Sequence, residues 1–403
     1  MTKPKPKPSY STNSESCDLL MKEADLITLR RQLHQIPELA LQEKETHALL
    51  LKTIQGLPQT YLTIRTLPDL PTALLVKVQG RDPQRTIGYR TDIDALPVTE
   101  KTGLPFASKH SGIAHACGHD IHMTVALGIL SYFAEHQPKD NLIFFFQPAE
   151  ESKNGGKLAY DMGAFTGDWH IDEFYGLHDR PDLPAGTIST RLGTLFAGTT
   201  EINVDLIGKS GHAALPQNAN DMIVAAASFI SQIQTVVARN VGPTDSAVIT
   251  FGLMRAGTIR NVIAGRAHLE GTLRGFTQQQ IDFLQQRIRD IGQGIAASFN
   301  CQVKVALNQG GYYPVENNDK LTKDFIQVMK DDPDVTFVDT KPVMTGEDFG
   351  YLLNKIPGTM FWLGVNDPDS QLHAADFSPD EAALVPGVTA VVHFLEHRML
   401  EKV

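Results

Sequence analysis

The sequence predicts an α/β domain, a mostly parallel sheet flanked by helices, that carries an inserted α+β domain of the ferredoxin-like kind. Three observations predict it. Strand-like and helical runs alternate from residue 72 to 177, the pattern of a layered α/β sheet. Between Glu201 and Leu307 the order becomes β-α-β-β-α-β, with one-faced helices. Alternation then returns, so the smaller domain interrupts the larger. The boundaries expected are 1–19 for a flexible N-terminal extension, 20–192 and 308–403 for the larger domain, and 193–307 for the insert.

The chain opens MTKPKPKPSYSTNSES, whose lysines have no apolar run behind them and whose prolines and serines favour a floppy extension. Helical periodicity runs from Leu26 to about Leu57 and is interrupted at Pro37. The strands TALLVKV (72–78), TIGYRTDID (86–94), NLIFFF (141–146) and DEFYGL (172–177) follow, with an apolar helix from His122 to His136 between the second and third. In the insert, EINVDLI (201–207) alternates strictly, with Ile202, Val204 and Leu206 on one face. Met222, Ala226, Phe229, Ile233 and Val237 then form a helical stripe. Strands over 246–254 and 266–276 precede a second helix, which Thr277 caps and which presents Ile281, Leu284, Ile288, Ile291, Ile295 and Phe299. CQVKVAL (301–307) closes the unit. Beyond it the pattern predicts helices near 318–330 and 347–355, the strand TMFWLGV (359–365), and a last helix from about Pro379.

Composition narrows the function classes. A chain of 403 residues suggests two or three domains, and 42% hydrophobic with 20% charged residues describes an ordinary globular protein. A formal net charge of −10 argues against nucleic acid as a partner. Cys17, Cys117 and Cys301 neither make a disulfide framework nor match a zinc finger. The apolar stretch from Thr124 to Ala134 is about half a membrane span. The expected setting is a reduced compartment, most simply the cytoplasm, with no membrane partner.

The densest chemical signal is HACGHDIH (115–122), where Gly118 lets the backbone turn so that Cys117 and His119 can reach one metal. In isolation it also fits a buried cysteine beside capping polar residues. QPAEES follows a strand that Pro148 ends, placing Glu150 and Glu151 at the sheet edge where ligands of open α/β folds bind. Adjacent carboxylates do not aim at one point without strain, so one can coordinate a cation while the other takes a proton; two solvated acids in a loop is the plain alternative. His178 ends the strand DEFYGL, and His373 lies in the loop QLHAADF after TMFWLGV. Each histidine alone is ordinary. Together, Cys117, His119, Glu151, His178 and His373 exceed a four-coordinate structural site and suit two neighbouring divalent ions. Such a pair points to hydrolysis, with Glu150 taking the proton of water and passing it to a leaving nitrogen.

Rival constellations are weaker. GKSGHAA (208–214) is not a nucleophile elbow, Gly292-Gln293-Gly294 lies inside an amphipathic helix, and no dinucleotide fingerprint follows an early strand.

HACGHD, QPAEE, GLHD and the late LH-x-x-DF run in the order of the co-catalytic metallopeptidase and amidohydrolase family of aminoacylases, hippurate hydrolases and auxin-conjugate hydrolases, which the chain resembles over nearly all of residues 20–400. RTDIDALPVTE (90–100) and RQLHQIPELALQE (31–43) resemble that family's opening motifs. The resemblance implies a two-metal catalytic domain with an inserted lid domain. It also implies Cys117, His119, Glu151, His178 and His373 as metal ligands and Glu150 as general base. The metals would be zinc, manganese, cobalt or nickel, a thiolate favouring zinc. From the lid, sometimes across a homodimer, it implies His212 supporting the oxyanion and Asn261 and Arg274 binding a substrate carboxylate. Asp92, Asp94, Asp120 and Glu347 would orient ligands.

GTLFAGTTE (193–201), RAGTIRNVIAG (255–265), NQGGYYPVEN (308–317) and MTGEDFGYLL (344–353) resemble one branch of the family. That branch removes acetate from N-acetyl-L,L-2,6-diaminopimelate to give L,L-2,6-diaminopimelate, in the acetylated route of bacterial lysine synthesis. Two readings stay beside it: a broader N-acyl-amino-acid amidohydrolase, and a non-catalytic binding protein on the same fold, against which the intact Glu150 and five donors argue. Two segments depart from the family pattern, SKNGGKLAY after QPAEE and SGIA before HACGHD. Changed loop contacts are expected at the first; the ligands themselves are untouched.

Overall fold

Residues 21–401 are described by a computed structural model; the extension expected over 1–19 lies outside them. The larger sheet has eight strands. In spatial order they are Leu62–Leu67, Leu70–Val78, Asn141–Gln147, Thr86–Asp92, Glu173–Arg180, Gly358–Gly364, Ile188–Thr190 and Phe337–Asp339. Its middle is parallel as expected: Asn141–Gln147, Thr86–Asp92, Glu173–Arg180 and Gly358–Gly364 run in one direction. The flanks are mixed. Leu70–Val78 is antiparallel both to Asn141–Gln147 and to Leu62–Leu67, and Ile188–Thr190 is antiparallel to Gly358–Gly364.

The hairpin strand Leu62–Leu67 and the three-residue strands had no counterpart in the sequence reading. Pro68 and Asp69 make the hairpin turn, and prolines there read as loop. Three residues are too few to display a period of two.

Helices cover both faces of this sheet. His119–Glu135 is buried at every residue except Tyr132 and Glu135, because it is sandwiched between the sheet, Glu23–His34 and Leu384–Leu400. Its apolar residues join one core with Leu26, Leu33, Phe144, Val388 and Phe394. The opposite face is filled by Phe145, Phe174, Leu352, Phe349 and Trp362. The burial of strands such as Asn141–Gln147 on both sides explains their continuous apolar sequence.

The second sheet has four antiparallel strands in the order Ala247–Ala256, Arg266–Gly275, Gly198–Ile207, Gln302–Asn308. Numbered along the chain, that order is 2-3-1-4, the topology of a split β-α-β unit. Met222–Asn240 and Gln278–Ser298 cover one face through Phe229, Ile233, Ile281, Leu284 and Ile288. Thr277 caps the second helix by accepting a hydrogen bond from the Gln280 amide at 3.1 Å. By length and composition, Met222–Asn240 is the one helix among the described residues that could cross a membrane. Its inner stripe packs on the four-stranded sheet, while Ile223 and Val224 face outward. The other face of this sheet is polar and turns, at one end, toward the C-terminal edge of the larger sheet.

Candidate metal centre

The C-terminal ends of the parallel strands make the rim. Asp92 is in register with Gln147, so Asp94, Glu150 and Glu151 all emerge just past that edge. His178 is not at a strand end but inside a strand that runs on to Arg180, paired with Trp362. Cys117 precedes the buried helix, and His119 is its first residue. The turn between them needs glycine: Gly118 has φ of +83°, and a Cβ there would lie 2.0 Å from Oδ2 of Asp179. The His373 loop is tied to the same turn by its amide, which donates to the Ala116 carbonyl at 2.7 Å. Ala149 (φ +60°) and His373 (φ +70°) are left-handed without being glycine, so both loops hold local strain at the site.

The five donors converge. Sγ of Cys117 is 3.5 Å from Nε2 of His178, and Oε1 of Glu151 is 3.7 Å from Nε2 of His119 and 3.5 Å from Nε2 of His373. Cys117, His119 and His178 offer donor atoms within 4.8 Å of one another, as do Cys117, Glu151 and His373. The ring orientations are set from behind. Nδ1 of His119 hydrogen-bonds to the Asp94 carbonyl at 2.8 Å, and Nδ1 of His178 to the Asp179 carbonyl at 3.0 Å, leaving each Nε2 for the interior. The Glu151 amide donates to the Asp94 carboxylate at 3.0 Å.

Nε2 of His119 and Oε1 of Glu151 are buried without a hydrogen-bond partner. Buried polar atoms are rarely left so, and a divalent cation is the species that satisfies both. The electrostatics agree. Burial, with Glu151 and Glu150 nearby, pushes the Cys117 thiol up. Burial pushes Glu151 up to about 7, with His119 opposing. Against the cost of burial, Asp92 and Asp94 raise His119 to about 10. Burial and His122 hold His178 down, in the neutral form that coordinates metal. Carboxylates of Asp92, Glu150 and Glu151 crowd the Cys117 thiol, and the residues fit a cationic guest.

Glu150 sits beside this cluster. Its carboxylate accepts the Asp348 amide at 3.3 Å, and its backbone carbonyl accepts the Tyr312 hydroxyl at 2.7 Å. Burial, then the carboxylates of Glu347, Glu151 and Asp348, raise its carboxyl well above the usual range, favouring proton uptake. Beneath it lies Arg90, fully buried, bridging Asp92 at 2.8 Å, Glu347 at 2.9 Å and Asp348 at 3.2 Å. Gln147 donates to Asp348 at 2.7 Å. His122 binds Asp92 through Nδ1 at 2.6 Å and accepts the Asp179 amide at Nε2 at 2.9 Å.

Arg90, Asp348, Gln147 and His122 were not assigned roles from sequence. All four stood within quoted motifs, but nothing in one dimension says that a buried arginine gathers carboxylates from two distant segments. Glu347 meets Arg90 and no donor side chain. Asp120 turns away, its carboxylate held by Arg30 at 2.8 Å and His34 at 2.9 Å.

A cavity of about 490 Å³ opens over Cys117, Glu150, Glu151, His178 and His373, and its far wall includes Thr199, Glu201 and Arg274 from the four-stranded sheet. Arg274 donates to the Met344 carbonyl at 2.8 Å. Asn154, in the departing SKNGG segment, also lines the cavity and accepts the Gly311 amide at 2.8 Å. His212 and Asn261 are elsewhere. Both are exposed, and they sit together through the Val262–His212 bridge and the Ala213 amide, which donates to the Asn261 carbonyl at 3.1 Å. They adjoin the Arg266 end of the strand whose other end bears Arg274, about 26 Å away at the usual strand rise. One chain does not bring these three residues together.

The model of peptidase family M20/M25/M40 matches residues 88–397. The chain belongs to this family. Within the M20 group, a dinuclear metal-binding peptidase from Bacillus subtilis has a solved structure that superimposes with a TM-score of 0.82 at 30% identity, covering 94% of this chain and 98% of that one. The N-acetyldiaminopimelate deacetylase of Lactobacillus helveticus is 66% identical over 380 residues, 94% of this chain and 99% of its own. That of Limosilactobacillus reuteri is 64% identical, over 94% of this chain and 100% of its own.

Proposed function

We propose that the protein is a metal-dependent amidohydrolase that removes acetate from N-acetyl-L,L-2,6-diaminopimelate, in the acetylated route of lysine biosynthesis in the cytoplasm. The observation that carries the chemistry is the convergence of Cys117, His119, Glu151, His178 and His373 with Glu150 alongside. The substrate is supported by full-length relatives of that name at 57–66% identity.

Cys117, His119, Glu151, His178 and His373 would hold two divalent cations, which when bound would supply Lewis acidity and lower the pKa of water toward roughly 7. The thiolate favours zinc, and the imidazole and carboxylate donors also accept manganese, cobalt or nickel. Glu150 takes the proton of the attacking water and delivers it to the amide nitrogen as the C–N bond breaks, so that acetate and the free amine leave. Asp94 keeps His119 and Glu151 in place. Arg274 pairs with a substrate carboxylate.

His212 and Asn261 belong, in this reading, to the site of a second copy of the chain. Leu215, Ile223, Val224, Ile259 and Val262, all exposed, flank them and supply the apolar surface such a homodimer would cover. His212 then steadies the developing oxyanion across the interface, and Asn261 the substrate carboxylate.

The test is kcat/KM for acetate release from N-acetyl-L,L-2,6-diaminopimelate against N-acetyl-L-methionine and N-acetyl-L-leucine, with metal content measured on the same sample. The reading expects a clear preference for the first substrate and about two ions per chain. Equal rates on all three would replace it with a broad N-acyl-amino-acid amidohydrolase.

A further inference from the structure

Among the described residues, apart from Glu150, Glu151 and the histidines and cysteine of the site, two charged side chains line the cavity, and they have opposite sign: Arg274 and Glu201. Both lie on the polar face of the four-stranded sheet. Arg274 is in register with Thr199, and Glu201 with Thr272, so the two are diagonal neighbours on adjacent strands, roughly 7–8 Å apart. They nevertheless form no ion pair with each other. The Arg274 guanidinium is drawn to the Met344 carbonyl at 2.8 Å, on the side of the larger sheet. The Glu201 carboxylate is exposed at the cavity wall, and among the described residues its side chain meets one weak donor, Nδ2 of Asn308 at 3.4 Å, on the neighbouring strand.

An exposed carboxylate lining the cavity, beside an arginine that it does not pair with, is free to meet a cationic guest. The substrate class of the deacetylase reading, on which this inference rests, supplies one. N-acetyl-L,L-2,6-diaminopimelate carries its amide at one end and a free ammonium beside a carboxylate at the other, with three methylenes between the two ends. An N-acyl monoamino acid has no such ammonium. Among the described residues nothing else lining the cavity offers that group an anion, since Glu150 and Glu151 belong to the reacting end.

We infer that Glu201 is a specificity-determining residue that binds the distal ammonium of the substrate. Arg274 sets the opposite charge beside it, so the wall recognises a zwitterion.

The experiment compares kcat/KM on N-acetyl-L,L-2,6-diaminopimelate with that on N-acetyl-L-2-aminopimelate, which lacks only the distal amine, in wild type, Glu201→Gln and Glu201→Lys. Taking the ratio within each protein cancels any loss of folded enzyme. Wild type should prefer the diamino substrate; Glu201→Gln should shrink that ratio about tenfold or more, as loss of a charge-assisted hydrogen bond does. Glu201→Lys should invert it by repelling the ammonium. Ratios unchanged from wild type in both variants would overturn the role of Glu201. If wild type itself releases no acetate from the diamino substrate, the deacetylase reading fails first, and that is seen before any variant is made.

Discussion

Nε2 of His119 and Oε1 of Glu151 face each other at 3.7 Å, both buried, with no hydrogen bond between them or to anything else. The two residues come from different segments and share one support, Asp94, whose carbonyl holds the imidazole and whose carboxylate holds the Glu151 amide. Such a gap is costly unless a cation occupies it.

Removal of metal should therefore affect folding as well as turnover. Dialysis against a chelator is expected to abolish acetate release and lower the melting temperature, and added zinc, manganese or cobalt to restore both. At a free-ion concentration a hundredfold above Kd the stabilisation is about 2.7 kcal/mol for each site. Calorimetry with parallel activity measurements checks this. A fully active, metal-stripped protein would remove the basis of the assignment.

Glu150→Gln should separate binding from chemistry. The amide preserves shape but takes up no proton, so kcat is expected to fall by about a hundred- to ten-thousandfold with metal content unchanged. Loss of metal in this variant would instead make Glu150 a ligand.

Arg90→Met should destabilise the protein by about 3–5 kcal/mol in urea unfolding, since it leaves Asp92, Glu347 and Asp348 buried without their cation. A change below 1 kcal/mol would mean that these carboxylates are satisfied some other way.

A pH-dependent contribution is expected at His34, which is buried against Asp120 and Glu100. Burial opposes protonation, but the two carboxylates raise it from 6.5 to about 9. Because the folded-state pKa is the higher one, the stabilisation is fully present below pH 6.5 and is lost as pH rises through about 9. The shift corresponds to about 3 kcal/mol at most. The stability gap between wild type and His34→Gln should thus be widest near pH 6 and close above pH 9, as denaturant titrations across that range will show.

Mixing two inactive variants tests the proposed second copy. Glu150→Gln and His212→Ala chains, each inactive alone, should regain about a quarter of wild-type activity when unfolded and refolded together, because half the dimers are hybrids with one intact site each. No recovery, with hybrids demonstrated, would mean that His212 does not act across the interface, and an active His212→Ala chain would place it outside the reaction.

The residues proposed for the site drew notice because most stand beside a strong local signal: a proline ending an apolar strand before Glu150 and Glu151, a glycine between Cys117 and His119, and apolar strands leading toward His178 and His373. The insert was readable for a related reason, since one-sided burial writes alternation into 201–207 and a stripe into 222–237. The hairpin partner Leu62–Leu67 escaped because its turn prolines resemble loop. The strand end expected before His178 lies at Arg180 because charged Asp179 and Arg180 continue the pairing with Leu363 and Gly364, a continuation that their charge hides in the sequence.

Local chemistry thus marked which residue types follow which strands, and with them the proposed donor set and the alternation of the two-layer unit. Register and packing specified the rest. Only the folded chain put Asp94 behind both His119 and Glu151, turned Asp120 away to Arg30, threaded Arg90 under Glu150, and set Glu201 beside Arg274 while leaving His212 at the far end of the same sheet. These are contacts between residues tens to hundreds of positions apart. Their geometry depends on strand order and on the depth at which each side chain loses water, and neither quantity is written in any window of neighbouring residues.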